Sequence, residues 1–203
     1  MIHSPEPEDI RRLRRRIPLQ SFVADPPWLH NDRANKSGAH WGGAANHYEP
    51  MPTREICEMV LPPLDENCWL WLWRLHTHRH DAFQVAEAWG FGTQPVSEVV
   101  WVKLTKDGRK IRFGQGHSLR MAHEVCLLFR RGKLKRQSAG VPSVIETDEP
   151  DSVIRAPRLE HSRKPDKFYQ LVDEFVGDVP RGELFARRHW PNWACYGNQL
   201  EPT

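Results

Sequence analysis

The run Ser21-Phe22-Val23-Ala24-Asp25-Pro26-Pro27-Trp28 constrains this chain more than any other stretch. Phe22, Val23 and Ala24 read as a short buried strand, and the two prolines stop it, because each lacks a backbone N–H and fixes φ. The strand must then end in a rigid turn at its carboxyl end, where open α/β sheets place their ligands. At that turn Asp25 offers a carboxylate, Pro26 a carbonyl and Trp28 a flat apolar face. Two acceptors beside an aromatic plate suit a flat heterocycle that carries an amino group.

The remaining segments alternate between strand and helix signals. Residues 1–20 read as a basic arm containing Arg11, Arg12, Arg14, Arg15 and Arg16, and residues 29–52 as a long, aperiodic loop of the kind that tends to be functional. A helix is expected from Thr53, capped by Thr53, with Ile56, Met59 and Val60 on one face and Pro62-Pro63 ending it. Cys68-Trp69-Leu70-Trp71-Leu72-Trp73 is apolar at every position, as in a strand buried on both faces. Asp81 is expected to cap a helix whose Ala82, Val85, Ala86 and Trp89 fall at i, i+3, i+4 and i+7, with Gly90 as its stop. Glu98 to Lys103 reads as a strand, residues 104–119 as a mobile loop, Val125 to Phe129 as a strand and Ser152 to Arg155 as a short one. Pro165 opens a helix striped by Phe168, Leu171, Val172 and Phe175 and closed by Gly177, and Glu183 to Arg187 is the last clear strand. With 203 residues, 39% of them hydrophobic, the chain has enough apolar material for one sheet and its helices, and it shows no internal repeat.

Several classes are excluded or disfavoured. The longest apolar run, around Cys68 to Trp73, is far too short to span a bilayer, and the polar, arginine-rich N-terminus does not read as a signal peptide, so a cytoplasmic protein is expected. Cys57, Cys68, Cys126 and Cys195 form no CxxC pair, and the second and third read as reduced core thiols. His76, His78 and His80 alternate, but without a second ligand cluster they read as a solvent-facing strand end, and no metal is expected. The net charge of +3 is gathered in the N-terminal arginines and in Arg130, Arg131, Lys133, Lys135 and Arg136, runs that suit phosphate contact as well as a solvated face. Trp69, Trp71, Trp73, Trp89 and Trp101 are expected in packing, whereas Trp41, in the long polar loop, is the candidate for stacking on a base.

Asp25-Pro26-Pro27-Trp28 resembles the acid-Pro-Pro-aromatic signature of amino-group methyltransferases that use S-adenosylmethionine. Its Trp ending, together with the segments downstream, resembles the family named for the catalytic subunit of the eukaryotic mRNA N6-adenosine methyltransferase. Those matching segments are His47-Tyr48-Glu49-Pro50-Met51, the succession LWLW…AWGF…VWVK, Arg120-Met121-Ala122-His123-Glu124 and His161-Ser162-Arg163-Lys164-Pro165-Asp166. The resemblance implies an α/β, Rossmann-like class I S-adenosylmethionine-dependent methyltransferase fold, a mixed seven-stranded sheet with helices on both faces, spanning residues 21–203 after the arm of residues 1–20. Its motif order, catalytic signature first and cofactor strand last, explains why no glycine-rich fingerprint precedes Asp25. It implies catalysis by Asp25, Pro26, Pro27 and Trp28 and a cofactor held by Asp25, Lys164, Phe185, Arg187, His189, Asn198 and Gln199. Trp41, His47, Tyr48, Arg120, His123 and Glu124 become the substrate-side candidates, with His123-Glu124 expected to order the loops more than to act as an acid/base pair. Two departures stand out: Tyr196 precedes Gly197-Asn198-Gln199 where relatives commonly have Trp, and Trp190 occupies a position where a polar ribose contact occurs in eukaryotic relatives.

The function expected is methyl transfer to N6 of adenine in nucleic acid. DNA, single- or double-stranded, is preferred, because so compact a chain looks like the bacterial or phage branch. RNA is the runner-up, a non-catalytic nucleic-acid-binding subunit the rival from another class, and cytosine N4 the alternative acceptor. Pairing with itself or with a partner subunit is expected of a small enzyme that lacks a recognition domain.

Overall fold

The computed structural model describes residues 17–29, 49–113, 119–134, 153–157, 163–198 and 200. Trp41, His47, Tyr48, Gln199, the basic arm before Ile17 and the histidine of the His161 segment lie outside these residues.

Seven strands form one sheet: β1 (Leu19–Ala24), β2 (Leu64–Arg74), β3 (Ser97–Leu104), β4 (His123–Arg131), β5 (Val153–Pro157), β6 (Arg181–Leu184) and β7 (Ala194–Tyr196). Their order is β5-β3-β4-β2-β1-β6-β7. Neighbours are parallel except at β4, which runs antiparallel to both β2 and β3. The chain leaves β1 toward β2 on one side and returns to β1's other side with β6, so the winding reverses between β1 and β6. A crevice opens at the carboxyl ends of strands at such a switch point.

Burial on both faces explains the unbroken apolar run in β2. Successive side chains point to opposite faces, so Cys68, Leu70 and Leu72 join one core while Trp69, Trp71 and Trp73 join the other. The first core lies under α1 (Thr53–Cys57) and α2 (Arg79–Ala88), through Ile56, Ala82, Val85, Ala86 and Trp89. The second lies under α3 (Asp166–Val176), through Phe168, Tyr169, Val172 and Val176. Helices therefore cover both faces of a mixed sheet, the expected α/β architecture. Trp71 and Trp73 set their rings edge-on to Phe168 at centroid distances of 6.1 and 4.8 Å, and the Trp71 indole donates to the buried Ser21 hydroxyl at 3.2 Å. Cys68 is free and buried in the first core, where burial pushes its thiol up to about 12, as suits an inert core cysteine.

Local differences from the sequence expectations have physical reasons. The helix from Thr53 lasts only to Cys57 and leaves Val60 exposed, and the Thr53 hydroxyl donates to Asp81 at 2.6 Å instead of capping its own helix. Asp81 thus sits inside the first turn of α2 and caps nothing. His76–His78 form a 3-10 turn rather than a strand end, and His78 is buried with its Nε2 3.0 Å from the Leu29 carbonyl oxygen. Among the described residues no group of His, Cys, Asp and Glu could hold a metal. The last strand expected, Glu183 to Arg187, stops at Leu184, because Phe185 turns to φ 64°. β7 supplies the seventh strand, too short at three residues to show a period.

Phe168→Ala would open a void between Trp71, Trp73 and Tyr169 and should cost about 3–5 kcal/mol in urea unfolding. A loss below about 1 kcal/mol would contradict this packing.

Candidate active site

Asp25, Lys103, Glu124, Lys164 and Phe185 meet at one edge of the sheet. Asp25 follows the carboxyl end of β1 and Phe185 that of β6, the strand beside it. Because β4 runs the other way, its first residues, His123 and Glu124, arrive at this same edge. Lys103 stands near the carboxyl end of β3, and Lys164 comes from the segment that leads into the amino end of α3.

These residues make an alternating charge chain. The Lys164 ammonium lies 2.7 Å from Asp25 Oδ2 and 3.1 Å from Glu124 Oε2, and the other Glu124 oxygen takes Lys103. Two anions and two cations leave the chain neutral, the condition under which ions tolerate burial. Burial pushes the Glu124 carboxyl up, but Lys164 and Lys103 outweigh it and hold it down at about 2. Burial alone would lower the Lys164 ammonium, yet Asp25 and Glu124 reverse the sign and raise it. For Asp25 burial prevails: its carboxyl lies above the ordinary value, with Lys164 pulling against the shift. The Lys164 ammonium also lies 4.9 Å from the Trp73 ring centroid, which ties the chain to the core.

The Pro-Pro turn is held from several sides. The Trp28 amide donates to the Pro26 carbonyl at 2.9 Å, and the Met51 amide to the Pro27 carbonyl at 2.7 Å. One lone pair of the Pro26 oxygen is therefore taken, and a carbonyl has a second to offer. Trp28 is not the open stacking plate expected of it. It is only 3% exposed, donates its indole N–H to the Trp73 carbonyl at 3.1 Å and packs 5.5 Å from the His78 ring. Its role in the described structure is to pin the turn that aims Asp25.

Beside Asp25 a cleft is lined by Arg163, Lys164, Tyr169, Glu183, Phe185, Arg187 and Arg188. Phe185 reaches it in a left-handed conformation that a bulky residue seldom adopts, a strained backbone where functional sites often keep one. Gly197 closes the edge of the site: a Cβ there would lie 2.0 Å from the Ala186 carbonyl oxygen, so only glycine lets the residue after β7 approach the residue after Phe185. Asn198 is thereby carried close to the β6–β7 connection, although its own side chain is exposed, as is that of His189.

Among the described substrate-side candidates, Arg120, His123 and Glu124, only Glu124 joins the cluster. Adjacent residues of a strand face opposite ways, so His123 is exposed and the two cannot act as a pair. Arg120 is exposed, with its guanidinium 5.1 Å from the Phe113 ring centroid. Arg131, from the second basic run, donates to the Asp65 carbonyl and lies 5.0 Å from the Phe91 ring centroid, a structural engagement.

The sequence reading missed Lys103, Glu183 and Tyr169. Glu183 carried a visible signal, a carboxylate between apolar neighbours in a short strand, which is unusual unless paired. It is 3% exposed and accepts the Tyr169 hydroxyl at 3.0 Å. Burial pushes it up to about 7, from an ordinary value of 4.5.

The sheet order, the reversal between β1 and β6 and the charged cleft at that reversal define a Rossmann-like S-adenosylmethionine-dependent methyltransferase fold. The family profile described as MT-A70 matches residues 19–199, and the chain belongs to that family. It is 32% identical to the N(6)-adenosine-methyltransferase MT-A70-like protein of Arabidopsis thaliana over 203 aligned residues, 95% of this chain and 25% of that protein. It is 28% identical to the N(6)-adenosine-methyltransferase catalytic subunit METTL3 of Homo sapiens, over 88% of this chain and 28% of that protein. With the N(6)-adenine-specific methyltransferase METTL4 of Mus musculus it shares 29% identity over 90% of this chain and 37% of that protein. The chain thus spans from a quarter to somewhat over a third of the length of these relatives.

Because folding raises the Glu183 pKa, the stability tied to its protonated form is complete below about 4.5 and is lost as pH rises through about 7. Glu183→Gln keeps an acceptor for Tyr169 and removes the buried charge. It should flatten the loss of Tm between pH 5 and 8 and gain up to about 3 kcal/mol at the alkaline end. A variant whose pH–Tm curve parallels the wild type would refute the buried carboxyl.

Proposed function

We propose that this protein transfers a methyl group from S-adenosylmethionine to the exocyclic N6 amine of adenine in nucleic acid. The observation that carries the reading is Asp25: a carboxylate at the switch point, fixed by Lys164 at 2.7 Å and presented by a Pro-Pro turn. The cleft beside it suits the cofactor chemically. Asp25 offers negative charge to a sulfonium or an ammonium, and Arg187 and Arg163 offer positive charge to a carboxylate. Arg163 Nε is buried without a hydrogen-bond partner among the described residues, as a donor awaiting a ligand would be.

Phe185, Arg187, His189, Asn198 and Gln199 would hold the cofactor, and Lys164, with three N–H donors and two protein carboxylates, retains one for it. Bound there, S-adenosylmethionine would supply an electrophilic methyl group. The lone pair of an adenine amine is delocalised into the ring, so the enzyme must orient the amine. The Asp25 carboxylate and the remaining lone pair of the Pro26 carbonyl would accept its two hydrogens. Positioning and electrostatics then carry most of the rate. Glu124 and Lys103 complete the charge balance that keeps Lys164 on Asp25.

DNA is the proposed polymer, and single strands are the easier substrate, because a base in a duplex must first leave the stack at a cost of a few kcal/mol. RNA is the second reading, favoured by the word adenosine in the names of the Arabidopsis and human relatives. The mouse relative is named for adenine. Partner subunits or self-pairing would add nucleic-acid contacts.

Purified protein should be given S-adenosylmethionine with single- and double-stranded DNA and RNA, and the nucleosides read by mass spectrometry. N6-methyladenine is expected on DNA and should fall at least about 10²-fold with Asp25→Ala. Product chiefly on RNA would replace the polymer, and N4-methylcytosine the base. Methylation unaffected by Asp25→Ala would overturn the assignment of the site.

A further inference from the structure

The β6–β7 connection, residues 185–193, carries Phe185 and Arg187 into the cleft and is strapped along one face of α3. Asp166, Tyr169 and Asp173 fall at i, i+3 and i+7 of that helix and so share a face. Each takes hold of the strap. Arg188 Nη2 lies 2.6 Å from Asp166 Oδ1, and the Arg188 guanidinium lies 4.7 Å from the ring centroids of both Tyr169 and Trp190. Trp190 stacks on Tyr169 at 4.9 Å and 24°. The strongest hold is at Asp173: Trp190 Nε1 donates to Oδ2 at 3.0 Å, Trp193 Nε1 to Oδ1 at 2.8 Å, and Arg181 Nε lies 2.6 Å from Oδ1.

One carboxylate thus gathers two indoles from the carboxyl-terminal part of the connection and a guanidinium from the first residue of β6. Asp173 lies seven residues, about 10 Å along the helix, from Asp166 beside the cleft, and it is not among the residues lining the cleft. We propose that Asp173 is a positioning residue for cofactor binding: by clamping Trp190 and Trp193 it fixes the strap, and the strap fixes Phe185 and Arg187. This rests on the reading of the cleft as the cofactor site. It also gives Trp190 a different task from the polar ribose contact of eukaryotic relatives: here the indole faces α3 and serves as an anchor.

The test uses Asp173→Asn and Trp190→Phe, the second keeping a ring on Tyr169 while removing the N–H that Asp173 accepts. Amide hydrogen exchange of residues 185–193 reads the strap without any ligand, and titration with S-adenosylhomocysteine reads the cofactor site. Methylation kinetics then separate KM for S-adenosylmethionine from kcat. Exchange in the strap should quicken in both variants, S-adenosylhomocysteine Kd and cofactor KM should rise about tenfold, and kcat at saturating cofactor should stay within about threefold. Trp190→His, which restores a ring N–H, should recover part of the affinity. Unchanged exchange in both variants would overturn the strap. Faster exchange with unchanged Kd would overturn the positioning role. A wild-type protein that does not bind S-adenosylhomocysteine would remove the cofactor site and the positioning role with it, while the exchange data would still judge the strap.

Discussion

Lys164 lies between two carboxylates, 2.7 Å from one and 3.1 Å from the other, and is only 5% exposed. An isolated ammonium there would be costly, as would either carboxylate without it. Each charge is tolerable only because the others are present, so Asp25, Lys164, Glu124 and Lys103 form a unit that the fold must assemble whole. The unit draws on the ends of β1, β3 and β4 and on the segment before α3. Correct pairing across most of the sheet is therefore a condition for a finished site.

The antiparallel strand is what makes this possible. In an all-parallel sheet the first residues of every strand lie at the edge away from the cleft. β4, inserted between β2 and β3 in the opposite direction, brings the start of a strand to the functional edge and Glu124 within reach of Lys164. On the other side of β1 the reversal toward β6 leaves the cleft, and the strap along α3 walls it. The two halves meet at Asp25.

Much of this was legible in the sequence where one local rule dominated. The Pro-Pro stop located the end of β1 and the turn that presents Asp25, and the uninterrupted Cys68–Trp73 run announced a strand covered on both faces. Gly90 and Gly177 both take the positive φ expected of helix stops, 82° and 67°. What escaped the reading depends on partners distant in sequence. Trp28 looked like an open plate because nothing local shows that the Trp73 carbonyl takes its indole N–H, 45 residues away. Lys103 looked like an ordinary strand-end lysine because its partner, Glu124, comes from the next strand. β7 is too short to carry a period, and Thr53 chose Asp81, 28 residues on, over its own helix. The motif resemblance named Lys164 and Glu124 but not their union with Asp25, which only the strand directions bring about.

The central claim is that Asp25 and Lys164 depend on each other, and a double-mutant cycle measures this directly. Asp25→Asn, Lys164→Met and the double variant would be unfolded in urea at neutral pH alongside the wild type. Each single variant leaves the buried chain with one uncompensated charge and should lose about 3–5 kcal/mol. The double variant should lose less than the sum of the two by about 1–3 kcal/mol. Losses that add to within about 0.5 kcal/mol would mean that the two residues act independently, and the account of the site as one neutral charge chain would be wrong.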